Sequence, residues 1–158
     1  MKVFLLKVLV MLISWSIVYD LKLEFIGKID TFLSTTTVGI NALIFKIFNI
    51  SYYHSGRVIS LAIGNGIEVV DGCNILSILG LYICFIIAYN GPRSSMYKYL
   101  FFGAISLYVL NVIRILFLII SDAYFEKLFS IFYASSSYIF FHPFILLMWY
   151  KWTQIEPK

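Results

Sequence analysis

Few residues in this 158-residue chain can do chemistry, and three of them have types that fit one reaction. Cys73 stands in VVDGCNILS, where a long apolar run begins. A thiolate is a strong nucleophile, and the first turn of a helix lowers a thiol's pKa. Asp71 is a natural N-cap for such a helix, and Gly72 clears space for another backbone. The Asp71 carboxylate opposes a thiolate unless it points away. Against this stands a plainer reading, because a free cysteine in an apolar protein usually behaves as a small hydrophobe. Cys84, deeper in the same run with no polar company, is read that way, as packing only.

Arg114 lies in LNVIRILFLII, roughly six residues from the outer end of its helix, which is deep for a flanking charge. Asn111, three residues earlier, shares its face. The competing reading is an arginine that snorkels to the headgroups. His142, in YIFFHPFILL, is alone among aromatics, as satisfied core histidines commonly are. It precedes Pro143, which opens the backbone nearby. Counting helical rise puts His142 about 12 Å above the inner boundary and Cys73 about 25 Å above it. A helix break at Pro143, or a last helix running on to Ile155, narrows that gap. His54, in YYHSGR, is the rival base.

Together these groups suit a thiol mechanism. Cys73 attacks a peptide carbonyl, His142 shuttles the proton, and Arg114 stabilises the thiolate or the tetrahedral oxyanion. Backbone N–H groups after Gly72 add to an oxyanion hole. Asn74 and Asn111 are the candidate orienting groups.

The elements that must position these groups are set by composition. The chain is 61% hydrophobic and 13% charged, whereas a soluble domain is about half apolar and a quarter charged. Most of it is therefore expected to face lipid or other membrane helices, as one domain over residues 1–158. The net charge of +4 comes from scattered cations without a basic run, so nucleic acid is not an expected partner. Cys73 and Cys84 are roughly 16 Å apart along one helix, beyond disulfide reach. No phosphate loop, haem motif or Cys/His metal spacing occurs, so no cofactor and no metal are expected.

The expected fold is an all-α polytopic membrane protein with about four transmembrane helices. The first follows Lys2 and Lys7 and is read as a retained signal anchor with a cytoplasmic N-terminus. The others are Ile75–Asn90, Tyr97–Ile120 and Ile131–Trp152, the last ending in the interfacial cluster MWYKW. Arg93 and Lys98 mark the loop after Gly91-Pro92 as cytoplasmic, and the C-terminus follows it inside. Thr31–Ile50 is long enough to span, but its polar run and Lys46 argue for an interfacial or re-entrant helix. Arg57–Val70, β-branched around Gly64-Asn65-Gly66, reads as a short outer-face β-hairpin.

The ordered set "DGCNILS", then "NVIRI", then a histidine in the last helix resembles the exosortase/archaeosortase family of membrane cysteine transpeptidases. It particularly resembles the short exosortase-like proteins of Bacteroidetes, in which a GCN form replaces the CSG of typical exosortases. The resemblance covers about Val58 to Pro143. It implies cleavage of a C-terminal sorting signal on the outer face of the bacterial inner membrane, followed by transfer of the exported protein to an acceptor. By motif it makes Cys73 the nucleophile, Arg114 the catalytic cation and His142 the acid/base. The alternative from another class is a non-catalytic membrane subunit of a secretion or polysaccharide assembly, using Arg114 for helix contacts. A transporter is disfavoured, because one arginine and one histidine make a poor ion pathway.

Overall fold

The computed structural model describes residues 2–21, 24–70, 75–89 and 91–155. Five helices and one small sheet follow in the order α1 (Lys2–Asp20), α2 (Glu24–Ile47), β1 (Tyr52–Ser55), β2 (Val58–Leu61), β3 (Ile67–Glu68), α3 (Leu76–Ala88), α4 (Arg93–Tyr124) and α5 (Phe129–Thr153). A short 3₁₀ turn, Glu126–Leu128, joins α4 to α5. Among the described residues α4 and α5 are long and apolar enough to cross a membrane, while α1 and α3 carry shorter apolar helices. The 13 residues of α3 rise only about 20 Å, less than a hydrocarbon core of about 30 Å.

Side-chain contacts fix the directions of the helices. Tyr99 packs on Trp152, and Arg114 bonds Ser136, so α4 and α5 are antiparallel. Tyr82 of α3 donates to the Tyr99 carbonyl at 2.8 Å. Phe4 of α1 packs edge-on against Phe85 and Tyr89 of α3, while Trp15 meets Gly80, so these two are antiparallel as well. In lipid there is little hydrophobic gain in bringing helices together, so close packing must hold them. Two glycines allow it: a Cβ at Gly80 would overlap the Trp15 indole, and one at Gly103 would overlap the Tyr82 phenol.

The segment expected as an interfacial or re-entrant helix is one continuous 24-residue helix beginning at Glu24, so it does not re-enter. Tyr108 Oη donates to Thr36 Oγ1 (2.9 Å) and Asn41 Nδ2 reaches the Val112 carbonyl (3.4 Å), so α2 runs parallel to α4. Of the polar run Ser34–Thr37 that counted against it, Ser34 and Thr37 are buried, as are Asp30 and Asn41, while Thr35 and Thr36 are half-buried and bond carbonyls of their own helix. Outward it presents Phe25, Phe32, Leu43 and Ile47.

The expected hairpin is present, with Val58 opposite Glu68 and Ile59 opposite Ile67. A third strand, β1, was not foreseen; it pairs antiparallel with β2 from Tyr52↔Leu61 to Ser55↔Val58. Gly56 has φ 57°, and that positive value lets the two-residue turn Gly56-Arg57 close the ladder. The Gly64–Gly66 loop is fastened to the α4–α5 corner. There the Gly66 N–H donates to Asp122 Oδ2 (2.9 Å) and Asn65 Nδ2 to Glu126 Oε1 (3.1 Å).

Two apolar clusters result. One joins Val38, Ala42 and Phe45 of α2 to Ile59, Leu61, Ile67 and Val69 of the sheet region and Ile115, Leu118 and Ile119 of α4. The other joins Ile75, Tyr82 and Ile86 to Leu107 of α4 and Phe141, Ile145 and Trp152 of α5.

Candidate functional site

Between the two clusters the helices carry polar side chains. Where α4 passes from Leu107 to Ile115 it places Asn111 and Arg114, 0% and 4% exposed. Ser136 is fully buried at the matching level of α5, and Ser34 and Thr37 lie between Leu33 and Val38 on α2. Each has a physical reason to face inward, since lipid offers a polar group no hydrogen-bond partner.

Arg114 is the centre of this layer. Its Nε donates to Ser136 Oγ at 2.9 Å, and Ser136 Oγ donates in turn to the Tyr133 carbonyl at 2.9 Å. Its guanidinium carbon stands 5.8 Å from the centroid of the Phe141 ring, within the range of a cation–π contact. The side chain is thus turned into the protein, and the snorkelling alternative does not describe it. Arg57 brings a second guanidinium from the β1–β2 turn: its Nε donates to the Val69 carbonyl (2.9 Å) and its Nη2 to Ser34 Oγ (3.4 Å).

Of the residues singled out in sequence, Asp71, Cys73 and Asn74 lie outside the described residues. The residues that flank them are described. Val69 is buried in the sheet-side cluster and Ile75 in the α3–α5 cluster. Val70, which directly precedes Asp71 in the chain, is exposed. Cys84 is buried in α3 and carries a free thiol.

The structure does not bring either histidine to Arg114. His142 is exposed on α5; its ring packs on Tyr138 at 5.0 Å, and Nδ1 lies 3.4 Å from the Ser137 carbonyl. Six residues beyond Ser136, it points about 120° away from the face that meets Arg114. The helix runs unbroken through Pro143 as far as Thr153, so the break that would have shifted His142 does not occur. His54 is exposed on β1 and stacks on Tyr52 at 5.8 Å.

Sequence reasoning missed Ser136 and Arg57. Ser136 sits in the run SSS, and nothing in the run distinguishes the serine that meets α4 from its neighbours. Arg57 was read only as the first residue of the expected hairpin, with no role for its side chain. Among the described residues no group of three or more His, Cys, Asp or Glu converges to hold a metal ion.

A family model for transmembrane exosortases matches residues 1–150 of the chain. Comparison with curated proteins and with solved structures gives no match.

Proposed function

The chain belongs to the transmembrane exosortase family, and from that premise we propose that it is a membrane-embedded cysteine transpeptidase. Its proposed substrates are exported proteins with a C-terminal sorting signal, cut on the outer face of the bacterial inner membrane. The observation that carries the reading is Arg114, a buried cation held by Ser136 and Phe141 inside the helix packing. A buried arginine in a membrane protein is costly, and a developing negative charge nearby would repay it.

In the proposed reaction the Cys73 thiolate adds to the scissile carbonyl carbon, forming an S–C bond and an oxyanion. Arg114 stabilises that oxyanion. Collapse breaks the C–N bond, and the departing amine takes a proton from the acid, leaving a thioester on Cys73. An acceptor nucleophile, or water, then attacks the thioester and gives up a proton as the thiolate leaves. The proton-transfer role is assigned to His142 by the resemblance, with His54 as the rival. Asn74, Asn111 and Asp71 are proposed supporting groups.

The test is terminal-peptide mass spectrometry of exported proteins in cells expressing wild type, Cys73→Ser or Arg114→Leu at equal membrane abundance. The proposal expects wild-type-dependent C-terminal cleavage that both variants abolish. Cleavage retained by Cys73→Ser but lost in Arg114→Leu would support the non-catalytic subunit instead.

A further inference from the structure

Four polar atoms in the buried layer have no hydrogen-bond partner among the described residues. They are Thr37 Oγ1 and Asn41 Oδ1 on α2, and both Oδ1 and Nδ2 of Asn111 on α4. All three residues are 0% exposed. They adjoin one another across one interface: Asn41 Nδ2 bonds the Thr37 carbonyl (3.0 Å) and reaches the carbonyl of Val112, next in chain to Asn111. Burying such groups without partners is destabilising, so their retention needs a cause. Apolar substitutes of the same shape would pack as well.

The chemistry of the three narrows the ligand. None of the three carries charge, so they offer a cation no counter-charge. The Asn111 carboxamide offers a donor and an acceptor side by side, which matches the C=O and N–H of a peptide group. The Thr37 hydroxyl and Asn41 Oδ1 add a further donor and further acceptors one helical turn apart on α2. Asn111 stands one turn from Arg114 on the same face of α4.

We propose that Thr37, Asn41 and Asn111 form a subsite that holds the main chain of the substrate peptide beside Arg114. This rests on the peptidase reading above and adds to it the residues that grip the peptide. The atoms are sealed between α2 and α4 in this structure, so the peptide reaches them when α2 moves away from α4. That movement breaks the bonds from Asn41 Nδ2 to the Val112 carbonyl and from Tyr108 to Thr36.

The test uses full-length protein in membranes and two aldehydes, N-acetyl-trialanine aldehyde and propionaldehyde. Each protects Cys73 reversibly from maleimide: the thiol adds across the C=O, an S–C bond forms, and the proton passes from sulfur to oxygen. Only the first carries peptide groups. Wild type should be protected by the peptidyl aldehyde at far lower concentration than by propionaldehyde. Thr37→Val should shrink that preference about tenfold, the loss expected for one hydrogen bond, and Asn111→Leu, which removes a donor and an acceptor, by more. Leu43→Val, on the outward face of α2, should keep the wild-type preference. Thermal midpoints are read in parallel, and Thr37→Val should keep that of wild type. An equal preference in wild type and Thr37→Val, or a midpoint lowered by Thr37→Val, overturns the subsite while leaving the peptidase reading standing. Failure of wild-type Cys73 to react with either aldehyde overturns both.

Discussion

α2 and α5 are of nearly equal length, 24 and 25 residues, and both pack on α4, yet they distribute polarity differently. α2 buries Asp30, Ser34, Thr37 and Asn41 and turns Phe25, Phe32, Leu43 and Ile47 outward. α5 buries Phe141, Ile145 and Trp152 with one polar residue, Ser136, and leaves its histidine exposed. The difference teaches where chemistry is supported in this molecule. A polar group turned inward in an apolar protein has a job to do there, whether for structure or for a ligand. On that criterion α2 contributes a polar wall, whereas α5 contributes one serine that fixes the arginine.

The largest effect that would test this contrast is at Arg114 itself. Arg114→Leu should reduce substrate cleavage by about two to three orders of magnitude, the size of losing one oxyanion-stabilising donor. Arg114→Lys should recover little, because an ammonium cannot donate from an Nε while also presenting a planar fork. Cleavage assays at matched expression decide it. A milder loss than that of Ser136→Ala would reverse the ranking of the two residues.

Stability should separate the inward and outward faces of each helix. Phe45→Ala on α2, at a site 2% exposed, should cost about 3–5 kcal/mol, while Leu43→Ala, facing outward, should cost well under about 1 kcal/mol. On α5, Ile145→Ala and Leu146→Ala should show the same order. Thermal unfolding in one detergent measures all four. Equal effects within either pair would mean that the outward face is covered by protein rather than lipid.

Ser136→Ala should lower cleavage about tenfold with a small change in thermal midpoint, since one hydrogen bond to a charged group is lost. The diagnostic sign is a fall in kcat with KM nearly constant, as expected for a residue that positions a transition-state cation. The smallest effect is expected at His142. Its ring faces away from Arg114 in this structure, so His142→Ala should cost less than Arg114→Leu by at least about tenfold. A loss as deep as that of Arg114→Leu would show that α5 rotates to bring His142 inward.

Much of this arrangement was legible in the sequence. The apolar runs of α3, α4 and α5 stood out because hydropathy alone marks them. Arg114 with Asn111 stood out because an ionisable group deep in such a run is rare. The Gly64-Asn65-Gly66 loop declared its hairpin through turn chemistry. α2 was harder, because Ser34, Thr37 and Asn41 lower its hydropathy, and only the packed structure shows that they face α4 rather than lipid. β1 was missed because four residues between a helix end and a glycine carry no clear alternation. Ser136 was missed because its role depends on the register of α5 against α4, which no local pattern encodes.

The central claim is that Cys73 is an accessible, activated nucleophile that depends on Arg114. Its most direct test is labelling of intact cells with a membrane-impermeant maleimide, comparing wild type, Cys73→Ser, Cys84→Ser and Arg114→Leu. The account predicts outward labelling that Cys73→Ser abolishes, Cys84→Ser leaves intact and Arg114→Leu slows severalfold. Labelling only after permeabilisation would contradict the outward orientation. A Cys73 inert even then would contradict the enzyme reading itself.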